Sequence, residues 1–222
     1  MSKYLKFIHG QLTTAGVLGL LAALLVGTGE FLLHFDALGR FAEGGTYEFM
    51  RGINSQRSTI GHFLGVLSAP LYIVGFWHIM KMLEPANALA SRIAFAIASY
   101  GIIVGAVWIG SRAEISTIVN STSIDNPLSF ISLYELRYEK LLQVTRLAML
   151  FFSVIFTWLV LSGRSHYPRW MALLNPIFLI LVSFAIWAIA PVVGIYLMPI
   201  ALNVAFALLF LFSIYYSQKV EE

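Results

Sequence analysis

Cysteine is absent from the 222-residue chain. That rules out disulfides, thiolate zinc centres and cysteine-ligated iron–sulfur clusters, and leaves the redox compartment unread. Charge is scarce too: Asp, Glu, Lys and Arg make up 11% of the residues, against about 25% in an average soluble domain. The net charge of +3 comes from 14 basic and 11 acidic side chains scattered along the chain, so no basic face for nucleic acid is built. What is abundant is apolar. Hydrophobic residues reach 59% and aromatics 14%, with a mean hydropathy of +0.82. The composition reads as an all-α polytopic membrane protein with aromatic belts at the lipid–water interfaces.

A membrane-crossing helix needs about 20 mostly apolar residues. Six segments qualify, at about 13–35, 60–83, 88–111, 141–161, 170–190 and 195–216. They predict one domain over residues 1–222, a transmembrane bundle of six helices with two longer polar loops on one membrane face. The first loop runs from Asp36 to Thr59, with a short interfacial helix around Tyr47, Phe49 and Met50. The second is Ser/Thr/Asn-rich, from Ala113 to about Asn126, and a helix resumes at Pro127 through Tyr134, Tyr138 and Leu142. The first apolar run ends in Glu30, His34 and Asp36 rather than at a small-residue cleavage site, which reads as a retained span. Basic residues divide seven to seven between the two faces. Those at the N-terminus and in the short loops favour both termini inside, because long loops translocate regardless of charge. Pro70 and Pro176 fall in the middle spans of two three-span halves, the pattern of an inverted repeat in transporters. Proline kinks are also tolerated in membrane helices for purely structural reasons.

The chemistry concentrates at the loop side. Gly19, Ala23, Gly27, Glu30 and His34 recur at i+3 and i+4 and form one stripe on the first span. Small residues at that spacing let helices approach closely, so Glu30 and His34 point into the bundle. Ala94, Ala98, Gly101, Gly105, Trp108 and Arg112 repeat the design on the third span. The second span begins with His62, followed by Tyr72 on its face, and the fourth begins with Glu135, Glu139 and Arg146 at helical spacing. Four helices are thus expected to bring Glu30, His34, His62, Arg112, Glu139 and Arg146 to one end, with Asp36 and Glu114 nearby.

Several chemistries fit. Glu30 and His34, with His62 completing the set, are candidate ligands of a divalent metal such as zinc or iron. The same three are candidate catalytic acid/base residues, with Arg112, Glu139, Arg146, Tyr72 and Trp108 as ligand-binding residues and the arginines gripping an anionic head group. A proton or ion relay is a third reading, and a buried ion-pair network that only holds helix ends together is the structural alternative. Haem is less favoured: His62 and His78 fall on nearly opposite faces of their helix, which leaves a single haem between His34 and His62. His78 reads as an interfacial belt residue, and His9 and His166 as solvated. Asn120-Ser121-Thr122 matches a glycosylation sequon.

Three pieces resemble a family of small multi-pass bacterial membrane proteins of unknown function. They are Gly29-Glu30, Pro70-Leu71-Tyr72 with Gly75-Phe76-Trp77-His78, and Pro168-Arg169-Trp170-Met171 with Asn175-Pro176. The resemblance implies an integral inner-membrane protein with no activity attached. Membrane hydrolases related to alkaline ceramidases and adiponectin receptors need histidines in a late span, and the last three spans here contain none. The leading expectation is a membrane-embedded enzyme or binder acting on a lipid or amphiphile that enters from the extracytoplasmic half. A small secondary transporter and a structural or accessory subunit are the alternatives.

Overall fold

The computed structural model describes residues 3–40, 47–124 and 127–219, without the side chains of residues 3–9 and 128. The solvation expected for His9 therefore lies outside the described side chains, as do the last two residues, 125 and 126, of the expected second loop. Among the described residues the fold is all helical. In chain order the helices are α1 (Lys3–His34), α2 (Ser55–Leu83), α3 (Ala88–Gly110), α4 (Arg112–Asn120), α5 (Pro127–Tyr134), α6 (Lys140–Leu161), α7 (Pro176–Ile189), α8 (Pro191–Leu197) and α9 (Ala201–Lys219). Short 3-10 turns at Glu48–Met50, Arg169–Leu174 and Met198–Ile200 and a π-helical turn at Glu135–Glu139 complete the path.

Among the described residues five helical stretches are long and apolar enough to cross a membrane: Gly10–His34, Ser55–Leu83, Ala88–Asn120, Ser129–Leu161 and Pro191–Lys219. The expected fifth of six spans, 170–190, is not one long helix. Its first part is the 3-10 turn, Asn175 then caps a new helix through the Phe178 amide, and α7 has 14 residues. At 1.5 Å per residue that is about 21 Å, short of the roughly 30 Å hydrocarbon core. Pro176 stands at the first position of α7, where its missing N–H costs nothing, whereas Pro70 lies inside α2. The two prolines are therefore not equivalent, and the expected repeat loses its marker.

The spine of the bundle is α1 against α2 and α9. A Cβ built on Gly75 would lie 2.5 Å from the Gly19 Cα and 2.7 Å from the Phe210 Cζ, and one on Gly29 would lie 2.7 Å from the Gly61 carbonyl oxygen. Backbones meet at both points because no side chain intervenes, as the small-residue stripe requires. Tyr72, Phe76, Phe206 and Phe210 interlock beside the upper contact, with Tyr72 and Phe206 ring centroids 5.1 Å apart. On the other side α3 packs on α6, where Gly101 faces Met149 and Ala148.

Ala113–Asn120, expected as loop, belongs to helix α4 (Arg112–Asn120). Ile115 and Ser116 are buried, and Ile118 and Val119 pack beside them, so one face is apolar despite the polar composition. With Tyr47, Met50, Ile53 and Ile131 they form a small second core that roofs the loop end of the bundle. The expected interfacial helix around Tyr47 is present as the 3-10 turn Glu48–Met50, with Met50 buried. Asn120 of the sequon ties this roof together. Its Nδ2 donates to the Met50 and Ser116 carbonyls, and its Oδ1 accepts from the Gly52 amide at 2.7 Å.

The glycine contact is testable. Gly75→Ala should destabilise the bundle by about 1–3 kcal/mol, the usual cost of overpacking, read as a lowered melting temperature in detergent. Gly10→Ala, where nothing lies within 4 Å of the added Cβ, should leave the melt unchanged. Equal effects of the two would remove the backbone contact as the reason.

Candidate functional site

Glu30 and His34, one turn apart on α1, enter two different polar groups. Asn203 of α9 donates through Nδ2 to Glu30 Oε2 and accepts from the Tyr72 hydroxyl at 2.7 Å. Gly27 makes this approach feasible, since a Cβ there would sit 3.1 Å from the Asn203 Cβ. Glu30 thus meets an amide in the middle of the bundle, not a cation. His34 turns toward the loop end, where its ring lies 5.5 Å from Trp108 and 6.0 Å from Phe49.

Arg112 occupies that end, only 2% exposed. Its Nη2 donates to Glu139 Oε1 at 2.8 Å. The guanidinium also lies over Trp108 at 4.4 Å and Tyr47 at 5.4 Å from the ring centroids. The Tyr47 hydroxyl donates to the same Glu139 oxygen at 2.8 Å. Burial, and then Glu139 itself, push the Tyr47 phenol up to about 12 against the pull of Arg112, so it stays a donor at neutral pH. Two further donors, Arg112 Nε and Trp108 Nε1, are buried without a hydrogen-bond partner among the described residues. Beyond the roof, Arg57 caps the exit of α1 by donating to the Phe35 carbonyl at 2.6 Å. Asp36 is bonded by Arg40 at 2.8 Å, which holds its carboxyl below the usual range.

The structure therefore joins Glu30, Tyr72, His34, Trp108, Arg112 and Glu139 in two adjoining buried groups, and leaves out two expected members. Arg146 is exposed on the outer face of α6, whose inward residues are Thr145, Ala148, Met149 and Phe152. Glu139, the last residue of the π turn and itself 30% exposed, reaches in to Arg112, while Glu135 and Arg146 stay exposed. His62 also stands apart. Its Nδ1 donates to the Gly110 carbonyl at 3.0 Å, and its ring helps line a recess of about 440 Å³ between α2, α4 and α5. Thr59, Ala113, Glu114, Thr117, Ile118 and Tyr134 form the rest of the lining. Among the described residues no three His, Asp or Glu side chains converge as metal ligands, so Glu30, His34 and His62 do not form a common ligand set.

At the opposite end sits a group that sequence reasoning missed. His78, expected in an interfacial belt, is fully buried. Its Nδ1 donates to the Leu12 carbonyl at 2.8 Å, which leaves Nε2 to accept from Ser213 at 2.7 Å. The Tyr167 hydroxyl lies 2.6 Å from Ser213 and completes the chain. No short-range pattern links these residues, which come from α2, α9 and the turn between α6 and α7. Asn203 had a signal, a lone amide in an apolar run that needs a partner.

A family model described as a family of unknown function, DUF6796, matches residues 6–220. The chain belongs to the DUF6796 family. No curated protein and no solved structure matches it. The long apolar helices make this DUF6796 member an integral membrane protein.

Arg112 cannot shed its charge, so its partner matters more than the pair's net value. Glu139→Gln should cost about 3 kcal/mol by leaving a buried cation uncompensated, measured by denaturant unfolding in detergent. Arg112→Met added to Glu139→Gln should recover most of that loss. A double variant as unstable as the single one would show that the charge pairing is not what holds the roof.

Proposed function

We propose that this protein binds an amphiphile at the loop end of its bundle, with the polar head in the recess between α2, α4 and α5. The observation that carries this reading is the recess itself: about 440 Å³ lined by Thr59, His62, Glu114, Thr117 and Tyr134, flanked by apolar side chains that are left exposed among the described residues. Ile60 and Phe63, next to Thr59 and His62 on α2, are 45% and 54% exposed, and Phe130 and Leu133 on α5 are about half exposed. A head site beside an apolar flank suits a molecule with a polar head and a hydrocarbon tail.

In this reading Glu30, His34, Arg112 and Glu139 position α4 and do not touch the ligand. Arg112 holds α4 from its buried side through Glu139, Trp108 and Tyr47, and Glu114 and Thr117 project from the other side of the same helix. The expected acid/base pair becomes an internal pin, consistent with its bonding to Asn203 and its packing on Trp108.

The reading includes a topology. Leu12 and Lys219 lie at the same end of the bundle, since Leu12 meets His78 and the end of α9 meets Trp170. The other end of α9's apolar stretch reaches the loop end, where Tyr196 stacks on Phe35. Together with its preceding 3-10 turn, α7 returns the chain between the two ends. Six passes through a bacterial inner membrane with both termini cytoplasmic follow, in line with the short basic loops at that end.

The test is lipid retention. Native mass spectrometry of protein released from lipid nanodiscs should show the wild type retaining lipid and Thr117→Trp, which fills the recess from an exposed position, retaining at least fivefold less. Equal retention by the two, with circular dichroism unchanged, would sink the recess as the binding site.

A further inference from the structure

The recess carries one formal charge and a set of acceptors, and the two together select a ligand class. Glu114 is exposed in the first turn of α4 and makes no ion pair among the described residues. Arg112, two positions earlier, is turned inward and bonded to Glu139, so it does not offset Glu114. Glu114 is therefore the one carboxylate, and the one fixed charge, among the described residues that line the recess. His62 donates through Nδ1 to the Gly110 carbonyl, an atom that can only accept. In the neutral imidazole this leaves Nε2 as an acceptor. Thr59 and Thr117 add two hydroxyls, each able to accept, and Tyr134 adds a phenol and a ring face.

Resting on the amphiphile reading above, we propose that the head group is a primary ammonium, as in an ethanolamine phospholipid or a long-chain amine. An ammonium has three N–H donors and no acceptor. Here it meets a carboxylate at Glu114, an imidazole nitrogen at His62 and a threonine hydroxyl, one acceptor for each donor. A quaternary ammonium has no N–H to give and is held instead by several aromatic faces, whereas among the described lining residues Tyr134 alone offers a phenol ring. An anionic head meets Glu114 as a like charge with no cation in the lining. A divalent cation finds only Glu114 and His62, two ligands where protein sites ordinarily supply three or four.

The experiment uses the full chain in nanodiscs containing equal parts of phosphatidylethanolamine, phosphatidylcholine and phosphatidylglycerol with identical acyl chains, read by native mass spectrometry. The wild type should retain the ethanolamine lipid at least threefold over either other lipid. Glu114→Gln, a substitution at an exposed position, should abolish that preference while total lipid retention persists, because the apolar flank is untouched. Retention without head-group preference, or preference for the choline or glycerol lipid, overturns the ammonium assignment and leaves the amphiphile site standing. Retention no greater than that of Thr117→Trp overturns the site as well. Phosphoethanolamine in solution, the same head without a tail, should not displace the retained lipid at millimolar concentration. Displacement would make the ligand a soluble amine and overturn the lipid assignment.

Discussion

A guanidinium buried to 2% exposure at the end of a membrane bundle sets the terms for everything around it. Arginine keeps its charge at any ordinary pH and hydrates less tightly than an ammonium, so it can be buried, but only against an anion and flat apolar faces. Glu139 supplies the anion, and Trp108 and Tyr47 supply the faces. Each of these needs a piece of architecture. The π turn before α6 brings Glu139 inward, and the 3-10 turn at Glu48–Met50 follows directly on Tyr47. Ser111, buried and donating through its hydroxyl to the Trp108 carbonyl, joins α3 to α4 just before Arg112. The roof over the bundle, with its own small apolar core, is the consequence.

Deeper in, the protein solves the same problem without ions. Glu30 is met by the Asn203 amide, which is in turn met by the Tyr72 hydroxyl. Near the opposite end a histidine, a serine and a tyrosine satisfy one another and a helix carbonyl. Between these two groups lie Phe76, Phe206 and Phe210 and the Gly19–Gly75 contact. Water is absent from a bilayer core, so every polar side chain there must find its partner on a neighbouring helix. Those bonds, more than hydrophobic burial, tell the helices which neighbours to choose, because lipid tails are as apolar as leucine.

Much of this was legible from residue spacing. The stripe Gly19, Ala23, Gly27, Glu30 and His34 points inward as its periodicity requires, with Gly19 against Gly75 of α2 and Gly27 against Asn203 of α9, while Gly29, off the stripe, makes a second backbone contact with α2. Trp108 and Arg112, four apart, do act together. The failures have physical causes. Arg146 was placed with Glu139 by helical spacing, but Glu139 is itself partly exposed and reaches Arg112 from the rim, while Arg146 stays on the outer face of α6. Ala113–Asn120 looked like loop because serine, threonine and asparagine are common there, yet Ile115, Ile118 and Val119 suffice to bury one face once Met50 and Ile131 are present to receive it. The 170–190 span was counted by hydropathy, which does not register that Asn175 and Pro176 end one element and start another.

The sequence by itself determined the solvent this protein lives in, its helical class, the faces its first and third spans turn inward, and the end at which its charges gather. These are properties of composition and of a 3.6-residue period, and they need no knowledge of which helix is next to which. Only the tertiary structure decided the partners. Glu30 meets an amide 173 residues away, Tyr47 meets an acid 92 residues away, and His62 bonds to a carbonyl 48 residues away rather than joining Glu30 and His34. Such pairings depend on helix order, on rotation about each axis and on one wide turn.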